Sequence, residues 1–397
     1  MTPPSLRGIT MPEPGARALR AVMGRHAQHA VRDYLALPDL APREETGARA
    51  VVRALLQCDP RAVVGALQRP TIAGLVTAAK QAVRERRPAS TLRRAIDLLI
   101  LTELAATSDL TTEIAVDPAP GGWPVLRSIA SRRAGVPPAG ARLVFGPEGI
   151  AIEDAAGRRP WVAEEAYHEI TDGICFATSD DNPFLGVQVH PERAGNTIDL
   201  GGRPLDEWLS GLCAAFDVLR RHAPSEYEEM RLALDIIVPT GYDPERHFSV
   251  SYPGSVGAIY LSLHPNVMTL AEALIHEFQH NKLHAVFPWD RVLENAPGER
   301  HASPVRPDLR PLQGVLLAVH AFLPVARLYE TMTHAGDPIT RGRDWDKRFR
   351  QIIEVNREGT ATLLAHARPT ALGAELMEEI AFWDRHYAAY AKERWGA

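Results

Sequence analysis

The sequence predicts an α+β fold with a helical N-terminal region, a mixed region that carries the strands, and further helices at the C-terminus. Apolar residues recur at three- and four-residue spacing through most of residues 16–110. Short segments rich in β-branched and aromatic residues follow between residues 141 and 263, and helical spacing returns from residue 312. The length of 397 residues is enough for two domains. We therefore divide the chain into residues 1–140 and residues 141–397.

The N-terminal region is predicted to form short helices joined by tight connections. The predicted helices are 16–35, 44–56, 62–68, 75–86 and 91–106. Prolines stand between most of them, and proline ends a helix because it lacks a backbone donor. No cluster of polar side chains typical of catalysis occurs here, so we expect residues 1–140 to serve packing or the docking of a peptide. A stretch rich in proline and glycine, 117–140, marks the end of this region.

The mixed region is predicted to alternate short strands with amphipathic helices. The predicted strands are 141–145, 149–154, 173–177, 185–189, 234–239, 248–252 and 257–263. Helices are predicted at 205–223, 226–234, 270–283, 312–333, 345–366 and 372–395. Residues 288–307 are predicted to be a long loop. The helix 270–283 directly follows the last pair of strands.

Composition excludes several classes of function. The formal net charge is −5 and no long basic run occurs, which argues against nucleic acid or an anionic membrane as the partner. No uncharged apolar stretch approaches the roughly 20 residues that span a bilayer. The N-terminus lacks the apolar core of a signal peptide. The three cysteines are far apart and outside any CxxC pair, so we expect buried thiols and a cytoplasmic protein.

Residues 276–280, His-Glu-Phe-Gln-His, carry the strongest chemical signal in the chain. Positions four apart lie on the same face of a helix, so His276 and His280 can point two imidazoles at one divalent metal ion. Glu277 can reach a metal-bound water or orient a ligand. A strand pair followed by such a helix is the arrangement of a zincin-like domain, in which an edge strand lies along the active-site cleft. The sequence therefore predicts a zincin-like mixed domain with a metal site on helix 270–283.

The third ligand must come from elsewhere in the chain. His320 is the first candidate, because an unpartnered histidine inside an apolar helix would be costly to bury. A core histidine bonded to a backbone carbonyl is the alternative for this residue. Glu330 is the second candidate for a ligand, and the loop residues His247 and His301 follow. His284 continues the four-residue ladder but lies roughly 12 Å from His276 along the axis, so we expect it at the surface or behind a ligand.

Two arginines precede the helix that carries His320. Arg306 and Arg310 are each followed by proline, which favours an extended and stiff backbone. A guanidinium on such a segment suits bidentate capture of a carboxylate, although surface pairing with Asp308 or Glu294 explains it equally well. A metal ion beside a fixed arginine is what a 2-oxoglutarate oxygenase needs, because the keto acid chelates iron at one end and presents a carboxylate at the other.

Four segments together resemble a known family, the HExxH-motif peptide-modification proteins of bacterial clusters that make ribosomally synthesised and post-translationally modified peptides. The segments are Ser249-Val-Ser251, Gly257-Ala-Ile-Tyr-Leu-Ser262, the run from Leu270 to Leu283, and Arg306-Pro-Asp-Leu-Arg-Pro-Leu-Gln-Gly314. The resemblance extends from about residue 185 to residue 329. It implies an Fe(II)/2-oxoglutarate-dependent peptide β-hydroxylase, with His276 and His280 as iron ligands.

With the iron and keto acid that the resemblance implies, we expect Arg306, Arg310 and Ser262 to contact 2-oxoglutarate. The resemblance does not identify the third ligand, and His320 remains the first candidate from its spacing and burial. The substrates would be O₂ and a precursor peptide, held by edge pairing on the strand 257–263. A zinc peptidase that uses Glu277 as general base, for example in leader-peptide removal, is the alternative. A binding module with a structural or lost metal is a third hypothesis.

Overall fold

The computed structural model describes residues 4–180, 182–184 and 197–396, without the side chains of residues 306 and 307. It confirms a mixed α+β protein with helices at both ends of the chain. The N-terminal helices are α1 (Arg17–Leu35), α2 (Ala48–Cys58), α3 (Pro60–Leu67), α4 (Pro70–Arg84) and α5 (Ser90–Ala106). All five were predicted, and α3 and α4 each begin with proline, which is favoured at the first helical position because its missing N–H is not needed there.

Two small antiparallel sheets follow the N-terminal helices. Their strands are β1 (Ile114–Val116), β2 (Leu126–Ser128), β3 (Arg133–Gly135), β4 (Arg142–Gly146), β5 (Gly149–Asp154), β6 (Gly157–Pro160) and β7 (Glu164–Glu165). One sheet has the order β1-β4-β5-β6 and the other β2-β3-β7. Helices α2 to α5 and the first sheet share one core, in which Leu101 lies with Leu143, Phe145 and Ile152. Residues on both sides of position 140 therefore contribute to this core.

A five-stranded mixed sheet supports the rest of the chain. Its strands are β8 (Tyr167–Thr171), β9 (Ile174–Ala177), β10 (Ile236–Tyr242), β11 (Ser249–Val250) and β12 (Ala258–Leu263), and helices α6 (Leu205–His222) and α7 (Pro224–Ala233) lie between β9 and β10 in sequence. The order is β11-β12-β10-β9-β8. Strand β10 runs parallel to β9 and β12, whereas β11 is antiparallel to β12. The predicted strand 185–189 lies outside the described residues.

The sheet order corrects one expectation about the substrate. Strand β12 lies between β11 and β10, and both neighbours pair with its backbone. The predicted edge pairing of a peptide with strand 257–263 is therefore wrong at these paired residues. Strand β11 is the terminal strand on that side. Gly257 makes the tight entry into β12 with a φ of +98°, a conformation that side chains other than glycine rarely adopt.

The C-terminal half packs long helices on the sheet. They are α8 (Val267–Val286), α9 (Leu312–Ala335), α10 (Trp345–His366) and α11 (Ala371–Trp395). Helix α9 packs on α8 and α10, and its apolar side chains belong to the main core. Among the described residues, α9 alone is long and apolar enough by itself to cross a membrane, and 72% of its most apolar window is buried inside the fold. That burial is typical of a core helix.

A hairpin replaces the last part of the loop predicted for residues 288–307, from residue 300 onward, and no helix or strand occurs in 288–299. Strands β13 (Arg300–Ser303) and β14 (Arg306–Pro311) pair antiparallel, with Arg300 opposite Pro311 and His301 opposite Arg310. The prolines on β14 led the sequence analysis to a loop, because proline cannot donate to a strand ladder. The expected extended backbone is present, and β14 leads directly into α9.

Candidate metal site

Asparagine side chains fix helix α8 at its N-terminus and near its C-terminus. Asn266 caps the N-terminus and accepts a hydrogen bond from the Met268 N–H at 2.9 Å. Near the other end, Asn281 accepts from the Gly257 N–H at 2.8 Å and donates to the Ala258 carbonyl at 3.2 Å. The first bond starts the helix after β12, and the second pair ties it to the beginning of the same strand.

The two histidines of the motif converge, as predicted. The ring centroids of His276 and His280 lie 4.5 Å apart with an interplanar angle of 79°. One ligand atom from each of His276, Glu277 and His280 lies within 4.8 Å of the others. Within the described part of the chain, this is the one group of three or more potential ligands so close together. Small side-chain movements would bring the three atoms onto one ion, whose ligand distances are about 2.0–2.2 Å.

Burial keeps both imidazoles neutral. The pKa of His276 is well below its ordinary value because the ring is desolvated, and His280 and other nearby cationic groups lower it further. Burial also lowers the pKa of His280 to about 4. Neutral imidazole is the form that binds metal, so the site is available to an ion at neutral pH without loss of a proton.

One carboxylate oxygen of Glu277 accepts a hydrogen bond, and the other has no partner among the described residues. Its Oε1 accepts a hydrogen bond from the Ser249 hydroxyl at 2.7 Å, which connects α8 to the edge strand β11. Its Oε2 is buried without a partner. Burial raises the pKa of Glu277 to about 7, although the Ser249 and Ser251 hydroxyls act in the other direction. A carboxyl of this kind can accept a proton or serve as a ligand through the free oxygen.

The group opens into a cavity of about 470 Å³. Edge strand β11 and the residues after it form one wall, α8 forms the floor, and α9 and the hairpin form the other wall. Phe322 of α9 packs against the ring of His276, with centroids 4.6 Å apart. Ser303 and Arg310 of the hairpin line the same cavity. The wall is therefore polar on the hairpin side and aromatic at the metal ligands.

Of the two predicted arginines, Arg310 lines this cavity together with both motif histidines. Its Nε also lies 2.9 Å from the Asp308 carboxylate, so the expected surface pairing is present as well. The Arg310 side chain is 36% exposed, which leaves the guanidinium accessible from the cavity. The side chain of Arg306 lies outside the described residues.

The structure does not bring His320 into the metal group. Its side chain is fully buried behind α8, and Nδ1 lies 3.0 Å from the hydroxyl of Thr10. The other ring nitrogen, Nε2, is buried without a hydrogen-bond partner among the described residues. His320 is thus a core histidine, as in the alternative, but its observed partner is the Thr10 hydroxyl and not a backbone carbonyl, and it does not line the cavity.

The other candidate ligands are also engaged elsewhere. Glu330 accepts hydrogen bonds from His386 at 2.9 Å and Tyr387 at 3.3 Å. The ring of His301 lies against His366, and that of His247 lies against His264. None of the three candidates Glu330, His301 and His247 lines the cavity.

Two further site residues differ from expectation. Ser262 is buried in β12, where its hydroxyl accepts from the Phe248 N–H at 2.9 Å, and it does not line the cavity. The Ser262 hydroxyl therefore links β12 to the residue before β11, and the predicted contact with a cofactor is wrong. His284 is 5% exposed and lines the cavity with its ring centroid 6.3 Å from that of His280, so of its two predicted positions the surface is wrong and the place behind a ligand agrees with the structure. The four-residue ladder was the signal that could have placed it there.

Comparison with known proteins adds no assignment. No protein-family model matches the chain, and no curated protein matches it. The site must be interpreted from its own geometry.

Proposed function

We propose that this protein is an Fe(II)- and 2-oxoglutarate-dependent oxygenase that hydroxylates the β-carbon of a residue in a ribosomally synthesised precursor peptide. The observation that carries the proposal is the common cavity, where two neutral imidazoles and a guanidinium face the same space. Bound iron with 2-oxoglutarate would supply reductive cleavage of O₂, coupled to oxidative decarboxylation of the keto acid, so that one oxygen atom goes to succinate and the other to the hydroxylated carbon. The chain itself supplies the ligands, the charge that holds the keto acid and the shape that admits the peptide.

His276 and His280 would hold the metal, and the free oxygen of Glu277 is the third donor within reach among the described residues. Two histidines and one carboxylate are the ligand set of non-haem iron oxygenases, and this set leaves positions open for substrate and O₂. In this proposal Glu277 takes the place first given to His320. Ser249 then fixes the carboxylate by holding its other oxygen.

Arg310 would bind the distal carboxylate of 2-oxoglutarate. A guanidinium forms strong charge-assisted hydrogen bonds with a carboxylate, and the cavity of about 470 Å³ has room for the keto acid beside the metal. Strand β11, the terminal strand of the sheet, contributes Ser249 and Val250 to the cavity wall. An extended peptide can add to such an edge through backbone hydrogen bonds, which supports a peptide substrate.

The test is anaerobic addition of Fe(II) and 2-oxoglutarate to the purified protein. We expect a visible metal-to-ligand charge-transfer band, followed after O₂ addition by succinate and a one-oxygen mass gain on the peptide. Arg310→Gln should weaken 2-oxoglutarate binding by about 10- to 100-fold, because a hydrogen bond to a charged group contributes about 1.5–3 kcal/mol, and should leave iron affinity unchanged. Arg300→Gln, on the hairpin but outside the cavity, is the matched control. Absence of the band would refute the proposal.

A zinc peptidase is the second candidate, supported by the pKa of about 7 and the free oxygen of Glu277. A carboxyl with these properties suits a general base that activates water. The two candidates predict different behaviour of Glu277→Gln. As a ligand, Glu277 is needed for metal affinity, so the variant should bind the ion at least tenfold more weakly than wild type. As a base, it is needed for turnover alone, and the variant should bind Zn²⁺ normally while peptide cleavage is lost.

A further inference from the structure

A second cavity, of about 770 Å³, lies away from the metal site and shares no lining residue with it. Its walls are the N-terminal segment 7–14, the junction of α6 and α7, the C-terminal half of α9, and α11. Segment 7–14 is held to α11 by Glu379, which accepts hydrogen bonds from the backbone N–H groups of Gly8 and Met11. Helices and the hydrogen-bonded segment 7–14 therefore form the walls of this cavity.

The charges that line this cavity do not balance. Five glutamates and two arginines contribute to its wall. Both arginines have partners, since Arg7 lies 2.8 Å from Glu378 and Arg327 lies 3.5 Å from Glu330. The excess is acidic, and a ligand that complements the cavity must carry positive charge.

Among the five glutamates of this cavity, Glu226 is the buried one. Its side chain is 6% exposed, it lines the cavity, and the described residues give it no ion-pair partner. The carboxylate accepts a hydrogen bond from its own backbone N–H. Lys282, the nearby buried cation, is already held by Glu229 at 2.7 Å. Burial raises the pKa of Glu226 to about 7, and its backbone N–H, Lys282 and Arg327 offset this effect only in part.

Aromatic side chains stand at the same cavity. Phe382 is 56% exposed, an unusual position for a large apolar residue, and Trp383 lies beside it on α11. The Arg327 guanidinium lies 5.2 Å from the centre of the Trp383 ring, so the wall already accommodates one cation on an aromatic face. An apolar stem that ends in a positive charge would match both the rings and the carboxylate.

We propose that this cavity binds an alkylammonium or alkylguanidinium group, with Glu226 as its counterion and Phe382 and Trp383 packed on the stem. Lysine and arginine side chains of a peptide carry this chemistry, and so do free aliphatic amines and guanidines. The assignment is independent of the metal, and it holds whether or not the protein is an oxygenase.

The test is titration of the purified protein at pH 8, where a carboxyl with a pKa of about 7 is ionised, with butylamine, butylguanidine and the uncharged control butanol. Calorimetry should show binding of the two cations and none of the alcohol. Glu226→Gln should weaken cation binding at least tenfold. Glu228→Gln, which removes the same charge from the same helix outside the cavity, should bind within twofold of wild type.

Binding of butanol as tight as that of butylamine, or unchanged affinity in Glu226→Gln, would overturn the proposal. A readout that needs no Glu226 variant is the indole N–H resonance of Trp383, assigned with Trp383→Phe, which should shift on addition of butylamine to wild type. A Trp383 resonance that does not shift at saturating butylamine would also overturn the proposal. Capped lysine and arginine (N-acetyl, N-methylamide) distinguish the sources: tighter binding than the free amines supports a peptide side chain, and weaker binding supports a free amine.

Discussion

Replacement of Asn281 by alanine tests whether the metal helix is positioned by a single side chain. Asn281 is 1% exposed and follows His280 directly. Its amide accepts from Gly257 and donates to the carbonyls of Ala258 and Glu277, at 2.8, 3.2 and 3.0 Å. The first two bonds cross from α8 to the start of β12, and the third stays within the helix.

The magnitude follows from the groups that alanine leaves behind. The Gly257 N–H and the Ala258 carbonyl would lose a partner in a buried place, and an unsatisfied buried group costs about 1–3 kcal/mol. The Glu277 carbonyl keeps its helical hydrogen bond and adds little. We therefore expect Asn281→Ala to lower the free energy of unfolding by about 2–6 kcal/mol. Because α8 also loses its tie to the start of β12, metal affinity should fall as well.

Urea unfolding of the metal-free protein measures the first effect, and calorimetric metal titration measures the second. Asn266→Ala is the matched control, because it removes the same side chain from the other end of α8. The loss of its cap should cost about 1 kcal/mol and leave metal affinity unchanged. A loss below 1 kcal/mol for Asn281→Ala, or one no larger than that of the control, would refute the reasoning.

Three further predictions concern buried charge. Glu229→Gln should lower the free energy of unfolding by about 3–5 kcal/mol in urea titrations, because Lys282 would remain buried without its carboxylate, and Glu229→Met with Lys282→Met should recover most of the loss. Burial lowers the pKa of His284 to about 3, so between pH 6.5 and 4 the unfolded chain binds a proton at this residue and the folded protein does not. Wild type should therefore lose stability relative to His284→Gln by about 1.4 kcal/mol per pH unit as the pH falls from 6.5 to 4. Burial raises the pKa of Glu226 to about 7, so between pH 4.5 and 7 the folded protein binds a proton that the unfolded chain has lost. Wild type should therefore lose stability relative to Glu226→Gln as the pH rises from 4.5 to 7. Parallel stability curves for wild type and either variant would contradict the corresponding prediction.

The long helices could be predicted from the sequence because their signal is local and repeated. The predicted range 345–366 coincides with α10, and the predicted 91–106 differs from α5 by one residue. Strands of three residues, such as β1 and β2, carry too few alternations to be recognised and exist because neighbouring strands hold them. The hairpin of β13 and β14 was missed for the related reason that its prolines oppose strand propensity, while the pairing is set by the tertiary fold.

The same distinction separates the parts of the site that were predicted from those that were not. His276 and His280 converge because one turn of a helix brings them together, a property of four consecutive peptide bonds. The position of His320 depends on Thr10, 310 residues away in the sequence, and no local pattern records that contact. Ser262 was chosen from within a matching segment, yet its direction is fixed by the pairing of β12 with the chain at Phe248.

The unpartnered polar atoms of α8 gather mainly on the face of the helix that lines the cavity of the candidate site. Buried polar atoms in folded proteins nearly always have a partner, so each exception requires a reason. Five residues of α8 have a buried side-chain atom without one: His276, Glu277, Gln279, His280 and His284. All of these except Gln279 line the metal cavity. The remaining charged and amide groups of the helix are bonded to the sheet or to neighbouring helices. This clustering of unpartnered atoms around His276, Glu277 and His280 supports the proposed metal site.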